Sequence, residues 1–194
     1  MPRTLRGMER AHGTGWHVVS SQIVIETPHL RLRRDELEKT GGEPLGSYYV
    51  RESLGFAIVF ALTPDDRVVL VRQYKHGIAE EVLELPAGAI DPGETPAACA
   101  ARELAEETGY VGDAPELELA GTFILDASSS TTRYFVYVAR GARPLATQHF
   151  DTLEDIRVEL ATVDDVRRFV RDGTIAVGSS VSSIYFVLDR LGRL

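Results

Sequence analysis

The stretch that most limits how this chain can fold runs from Thr95 to Gly109. Thr95 precedes Pro96, and an N-cap hydroxyl followed by proline at the first helical position is a strong helix start. The alanine-rich run AACAARELAEET then continues up to Gly109, a residue suited to the left-handed turn that ends helices. On the helix this spacing predicts, Glu103, Glu106 and Glu107 fall at i, i+3 and i+4, so their carboxylates project from one face. Like charges so placed repel. Arg102 is expected to answer one neighbour, Glu106 at i+4 or Glu94 across the preceding loop. What remains is either a solvated acidic face or a seat for a cation. Carboxylate oxygens without imidazole or thiolate suit a hard ion such as Mg²⁺ or Mn²⁺ better than zinc.

The segments around this helix read as short strands. Residues 1–15 show no clean period and are expected to be a flexible leader. From Trp16, three alternating segments follow, with Leu30 and Leu32 interleaved with Arg31 and Arg33, and they form an N-terminal β unit over residues 16–53. Three short strands with one polar face bury little apolar area alone, so a second copy of the chain is an expected partner and a homodimer is anticipated. Phe56 to Leu62 reads as a buried strand, Pro64 to Arg67 as a turn, and the segment through Tyr74 as the returning strand of a hairpin. Strand patterning resumes at Glu116 to Leu125 and Arg133 to Arg140, on either side of the polar stretch DASSSTT. Two amphipathic helices close the chain, the first stopped by Gly173 and the second capped by Ser179 or Ser180. The expected fold class is α/β (α+β), with a main domain over residues 54–194.

Composition removes several function classes. With 44% hydrophobic and 26% charged residues the chain has the balance of a globular protein, and its net charge of −8 argues against nucleic acid or anionic lipid as partner. A phosphate-bearing ligand would need a local device such as a metal ion. The single cysteine, Cys99, cannot form an internal disulfide, and a reducing, cytoplasmic setting fits. No apolar run approaches the roughly 20 residues of a membrane helix.

Taken as a whole, the string GAIDPGETPAACAARELAEETGY carries Gly88, Glu94, Arg102, Glu103, Leu104, Glu106, Glu107, Gly109 and Tyr110 at the spacing of the Nudix box, which it resembles at every defining position. The flanking VVLVRQYKHG, ELPAG and EDIRVELATVDDV segments resemble the ADP-ribose pyrophosphatase branch of that family. The resemblance implies a Nudix fold, a mixed β-sheet sandwiched between helices. It also implies a site. Glu103 and Glu107 would be the main ligands of a divalent metal, with Glu106 a further ligand or metal-water partner and the carbonyl of Ala87 completing the shell. Arg102 and Glu94 would orient the loop against the helix, while Gly88 and Gly109 would allow close approach and helix exit. The implied reaction is metal-dependent hydrolysis of a pyrophosphate bond, ADP-ribose giving AMP and ribose 5-phosphate. The alternatives are another nucleoside diphosphate sugar, of the GDP-mannose or UDP/ADP-glucose type, and a non-catalytic nucleotide-sugar sensor.

Substrate phosphates need bases, and Arg51, Arg72 and Lys75 are the candidates, set against the plain reading of Arg72 and Lys75 as solvent-facing side chains. Two departures stand out. The acidic loop of this branch has a glutamate where Thr152 stands here, which leaves Glu154 as the candidate general base, extra metal contact or surface acid. The stretch ASSSTTRY replaces a proline-glycine turn and a glutamate. Cys99 is expected to be a buried, inert thiol, His76 a satisfied loop residue, and Trp16 either a base-stacking or a core aromatic.

Overall fold

In the computed structural model, residues 15–113, 117–148 and 155–194 are described; the expected leader and Glu154 lie outside them, apart from Gly15. The chain divides into two units, the first comprising residues up to Leu54 with Ile124–Arg133, the second Gly55–Phe123 with Tyr134–Leu194.

In the first unit, β1 (Trp16–Glu26), β2 (Arg31–Lys39) and β3 (Pro44–Glu52) pair antiparallel in sequence order, as their alternation and the Lys39–Pro44 turn predict. The burial runs against the usual apolar-in pattern. On β2 the buried positions are Arg33 and Asp35, 6% and 5% exposed, whereas Trp16, Val19 and Tyr49 are exposed. The buried charges are tolerated because each is answered. Asp35 accepts from Ser21 Oγ at 2.6 Å and from Arg33 Nε at 2.8 Å, while Glu52 is held by both Arg33 and Arg31. Trp16, at 46% exposure, does not take the core-packing role.

The second unit is built on β4 (Phe56–Leu62), β5 (Arg67–Lys75), β6 (Glu80–Glu84) and β7 (Ala87–Ala89), followed by α1 (Pro96–Thr108) and β8 (Tyr110–Val111). It continues with β9 (Glu118–Ile124), β10 (Arg133–Ala139), β11 (Arg143–Pro144), β12 (Ile156–Thr162), α2 (Val163–Asp172) and α3 (Gly178–Arg190). Among the described residues the main sheet has the order β12-β5-β4-β10-β9, with β6 added beside β5 and β7 beside β4. Strands β4 and β10 run parallel, whereas β12–β5, β5–β4, β4–β7 and β5–β6 pair antiparallel, so the sheet is mixed.

Alternation along β4 separates two cores. Ala57, Val59 and Ala61 pack with Cys99, Ala100 and Leu104 of α1, where small side chains let the helix approach the sheet closely. Ile58, Phe60 and Leu62 pack with Val166 of α2 and Ile184, Val187 and Leu188 of α3. Each such large aliphatic side chain contributes about 1.5–3 kcal/mol on burial. The mixed sheet between helices is the expected fold.

Helix ends follow the predicted chemistry in two cases and not in the third. Thr95 accepts the Ala98 N–H, and Gly109 closes α1 at φ 73° with its N–H on the Ala105 carbonyl. Thr162 caps α2, which ends at Gly173 with φ 81°. On α3, however, the N-cap is Val177, which makes no side-chain cap bond, and Ser179 and Ser180 lie within the helix. Ser180 is fully buried and its hydroxyl is taken by the Leu85 N–H, so it serves the sheet rather than its own helix end. No helix among the described residues is long and apolar enough to cross a membrane.

Candidate active site

The segment from β6 through β7 is pinned from several sides before it reaches α1. The Leu85 N–H donates to Ser180 Oγ on α3 at 3.1 Å, the Pro86 carbonyl accepts the Val59 N–H at 2.9 Å, and the Ala87 N–H donates to Glu107 Oε2 at 3.0 Å. Three residues beyond Ala87 the Ile90 N–H closes on the Gly55 carbonyl at 3.1 Å. A strand, a helix on each face and a carboxylate thus fix the backbone at Ala87 and Gly88.

The box acids are organised by Arg102. Its Nε and Nη2 grip the two oxygens of Glu94 at 2.9 and 3.0 Å, its Nη1 reaches Glu103 Oε1 at 2.6 Å and Glu106 Oε2 at 3.0 Å, and Nη2 also meets the Ala89 carbonyl at 3.1 Å. The expectation that Arg102 answers a single acid is therefore corrected. A planar guanidinium has five donors in a fork, and three carboxylates share them here. Hydrogen bonding from Arg102 pulls the Glu94 carboxyl down to about 2, and the same bonds hold Arg102 protonated.

Among the described residues no such base bonds to Glu107. It is 4% exposed, and burial, followed by the charge of Glu103, pushes its carboxyl up to about 8, against the opposing pull of the Ala87 N–H and of Lys75. Gly88 supplies the room for this packing. A Cβ at that position would fall on the Glu103 carboxylate, so the glycine lets that acid lie close over the backbone, and any side chain there would displace it. As the side chains stand, no group of three His, Cys, Asp or Glu among the described residues is gathered tightly enough to hold a metal ion. The donor set is nonetheless all oxygen, and it is short of positive charge at Glu107. That composition fits a hard divalent cation.

The three candidate phosphate bases are placed differently. Positions 72 and 75 are an odd number of residues apart on β5, so their side chains leave opposite faces of the sheet, a consequence that the strand assignment already carried. Arg72 lies on the α2 side and pairs with Glu159 of β12 at 3.4 Å through Nη2 and more closely through Nε. Its guanidinium is engaged with Glu159 on the face of the sheet away from the box. Lys75 lies on the α1 side, where its charge acts on Glu107 and its Nζ sits 2.9 Å from Glu84 Oε1. Arg51 belongs to β3 in the first unit, with an exposed side chain.

Sequence reasoning missed Glu84, Gln73 and Ser180. Glu84 is buried, 6% exposed, and accepts from Gln73 Nε2 at 3.0 Å as well as from Lys75. A polar residue at every second position, Gln73 and then Lys75, at the end of an otherwise apolar strand is the signal that could have flagged Gln73; Glu84 and Ser180 carry no such local mark. Cys99 is fully buried, as expected, with its thiol pushed up to about 12 by desolvation.

The model of the NUDIX domain matches residues 53–175, and that of the nucleoside diphosphate sugar hydrolase N-terminal domain matches residues 16–50. The chain is 26% identical over 170 residues to the methanol dehydrogenase activator of Bacillus methanolicus, covering 87% of this chain and 90% of that protein. It is 26% identical over 134 residues to the ADP-ribose pyrophosphatase of Bacillus subtilis, covering 69% and 71% of the two chains. Among solved structures, an ADP compounds hydrolase superposes with a TM-score of 0.77 at 21% identity, covering 92% of this chain and 97% of its own.

Proposed function

Because this chain belongs to the Nudix family, we propose that it hydrolyses the pyrophosphate linkage of a nucleoside diphosphate sugar, with ADP-ribose giving AMP and ribose 5-phosphate. The observation that carries this reading is the buried, cation-poor Glu107 beside the Glu103–Arg102–Glu106 array, at the end of a backbone fixed by Ser180, Val59 and Glu107 itself. The choice of substrate is supported by the Bacillus subtilis relative, named for ADP-ribose, and by the sugar hydrolase model over residues 16–50.

Glu103, Glu106, Glu107 and the Ala87 carbonyl would hold the divalent metal, Mg²⁺ in the first instance with Mn²⁺ as substitute. When bound, such an ion neutralises pyrophosphate oxygens and acidifies a water for attack. The chain's own residues supply position. Arg102 and Glu94 lock the loop after β7 to α1, and Glu107 aligns Ala87 through its N–H. Lys75 faces the box and offers an ammonium to the substrate phosphates, with Arg51 a further candidate for that task. The exposed Trp16, Val18, Val19 and Tyr49 on the first unit support a homodimer formed through β1–β3. A single buried cysteine suits a cytoplasmic location.

The test is turnover. Purified protein with Mg²⁺ is incubated with ADP-ribose, GDP-mannose and UDP- and ADP-glucose, and the nucleotide products are resolved by chromatography. AMP from ADP-ribose supports the reading. Product from a different sugar nucleotide replaces the substrate, and binding without any product overturns hydrolysis in favour of a sensor. Light scattering decides the dimer, because one chain has a mass of 21.3 kDa.

A further inference from the structure

The pairing of Lys75 with Glu84 is built with more care than a surface ion pair needs. Oε1 of Glu84 lies 2.9 Å from Lys75 Nζ and also accepts from Gln73 Nε2 at 3.0 Å, with Gln73 buried to 7% exposure. The Glu84 side chain is 7% exposed, whereas the lysine side chain is 42% exposed. A carboxylate is withdrawn from water only where partners compensate it, and both partners here come from β5, the strand beside β6. The arrangement is asymmetric: its fixed end is buried and its cationic end reaches solvent on the side of the sheet that carries the box helix.

A lysine ammonium is a strongly hydrated point charge on a stem with many rotamers, so an untethered Lys75 would spread over much of the surface around the end of β5. Binding to Glu84 uses one of its three donors and leaves the others free to meet an anion. We propose that Glu84 is a positioning residue which, braced by Gln73, holds the Lys75 ammonium ready for the phosphate oxygens of the substrate. Glu84 acts through Lys75 and does not itself touch substrate. The proposal deepens the hydrolase reading above and rests on it for the identity of the anion.

Two measurements test it. Steady-state kinetics with ADP-ribose and Mg²⁺ compare wild type, Glu84→Gln, Glu84→Asp, Lys75→Met and the double variant Glu84→Gln/Lys75→Met. Glu84→Gln keeps the shape of the side chain and removes its charge. We expect it to raise KM about five- to tenfold while kcat stays within about threefold, as Lys75→Met does. The double variant should be no worse than Lys75→Met alone, and Glu84→Asp should recover part of the loss. An unchanged KM, an effect of Glu84→Gln that persists in the Lys75→Met background, or a loss confined to the half-saturating Mg²⁺ concentration overturns the proposal.

The second measurement needs no turnover and, in the wild type, no variant. The chain has two lysines, Lys39 and Lys75, so the ammonium ¹⁵N resonances are readily assigned, with Lys39 as an exposed internal control paired to Glu43. An ordered Lys75 ammonium in the wild type, shifted by added ADP-ribose or inorganic pyrophosphate and released by Glu84→Gln, supports the proposal. A Lys75 signal as mobile as that of Lys39, or one indifferent to both additions, overturns it. Absence of product from every sugar nucleotide would sink the hydrolase reading, and this second measurement would still decide the role of Glu84.

Discussion

In the first unit Arg33 and Asp35 are 6% and 5% exposed, and in the second Glu107 is 4% exposed, yet the two buried clusters are assembled on different terms. Around Arg33 the acids Asp35, Glu52 and Glu26 are met by Arg31, Arg33 and the Ser21 hydroxyl, and every contact joins a donor to an acceptor. Around Glu107 the acids Glu84, Glu94, Glu103 and Glu106 are met by the cations Arg102 and Lys75, while the Glu107 carboxylate takes the Ala87 backbone N–H. The first cluster is a finished structure. The second is short of positive charge, and its excess lies at one atom group at the end of a fixed strand. Buried charge that is fully answered serves the fold, whereas buried charge that is left unanswered asks for a ligand.

The contrast breaks most visibly at Glu107. Glu107→Gln should lower turnover on the order of 10²–10³-fold, since it removes a group placed to hold the metal. In the metal-free protein the same change should be stabilising at alkaline pH. The folded carboxyl titrates at about 8, above its unfolded value, so between these pH values the native state holds a proton that the unfolded chain has lost. Its contribution is present in full below the unfolded value and is lost as pH rises through about 8. Melting curves in EDTA should therefore fall across that window for the wild type and flatten for Glu107→Gln, and saturating Mg²⁺ should remove the wild-type slope. An unchanged slope in the variant would show that Glu107 is not the group responsible.

At the balanced cluster the expected effect is on stability alone. Arg33→Met leaves Asp35 buried without its base, and such one-sided removal costs about 3–5 kcal/mol. Replacing Arg33 and Asp35 together with apolar residues should recover most of that loss. Denaturant unfolding measures both. If the single variant is as stable as the wild type, the network does not hold the first unit together.

Gly88→Ala tests the geometry of the other cluster with a single methyl group. The added Cβ falls on the Glu103 carboxylate, so the acid must move away from its place over the β7 backbone. The half-saturating Mg²⁺ concentration should rise about 10–100-fold, the range seen when groups that orient metal ligands are disturbed. A shift in stability with unchanged metal dependence would place Glu103 outside the metal shell.

The legibility of the two clusters in sequence differs for the same physical reason. The box was readable because a helix places i, i+3 and i+4 on one face wherever it packs, and because Thr95, Pro96 and Gly109 fix both helix ends locally. Strand and helix positions followed from short apolar runs and turn residues, whereas the order β12-β5-β4-β10-β9 is set by long-range pairing that no local pattern carries. What a strand buries is not local: alternation separates Leu32 from Arg33, but only pairing to Ser21 and Glu52 makes the arginine side the inner one. The placement of Arg72 lies between these cases, since parity on β5 already separates it from Lys75. Glu84 became visible only when β6 was laid beside β5.

The smallest effects concern two serines of α3, both fully buried, whose difference no local pattern reveals. Ser180 accepts the Leu85 N–H, and Ser180→Ala leaves that donor buried and unmet, at a cost of about 1–3 kcal/mol. Because Leu85 leads directly into Ala87, the same variant should also loosen the box backbone and raise the half-saturating Mg²⁺ concentration slightly. Among the described residues Ser183 Oγ has no hydrogen-bond partner, so Ser183→Ala removes an unmet polar atom and should be neutral or stabilising by a few tenths of a kcal/mol. Chemical denaturation of the two single variants decides between them. Equal losses would mean that Ser183 makes a contact of the same worth as that of Ser180, and the assignment of α3 as an anchor through Ser180 in particular would fall.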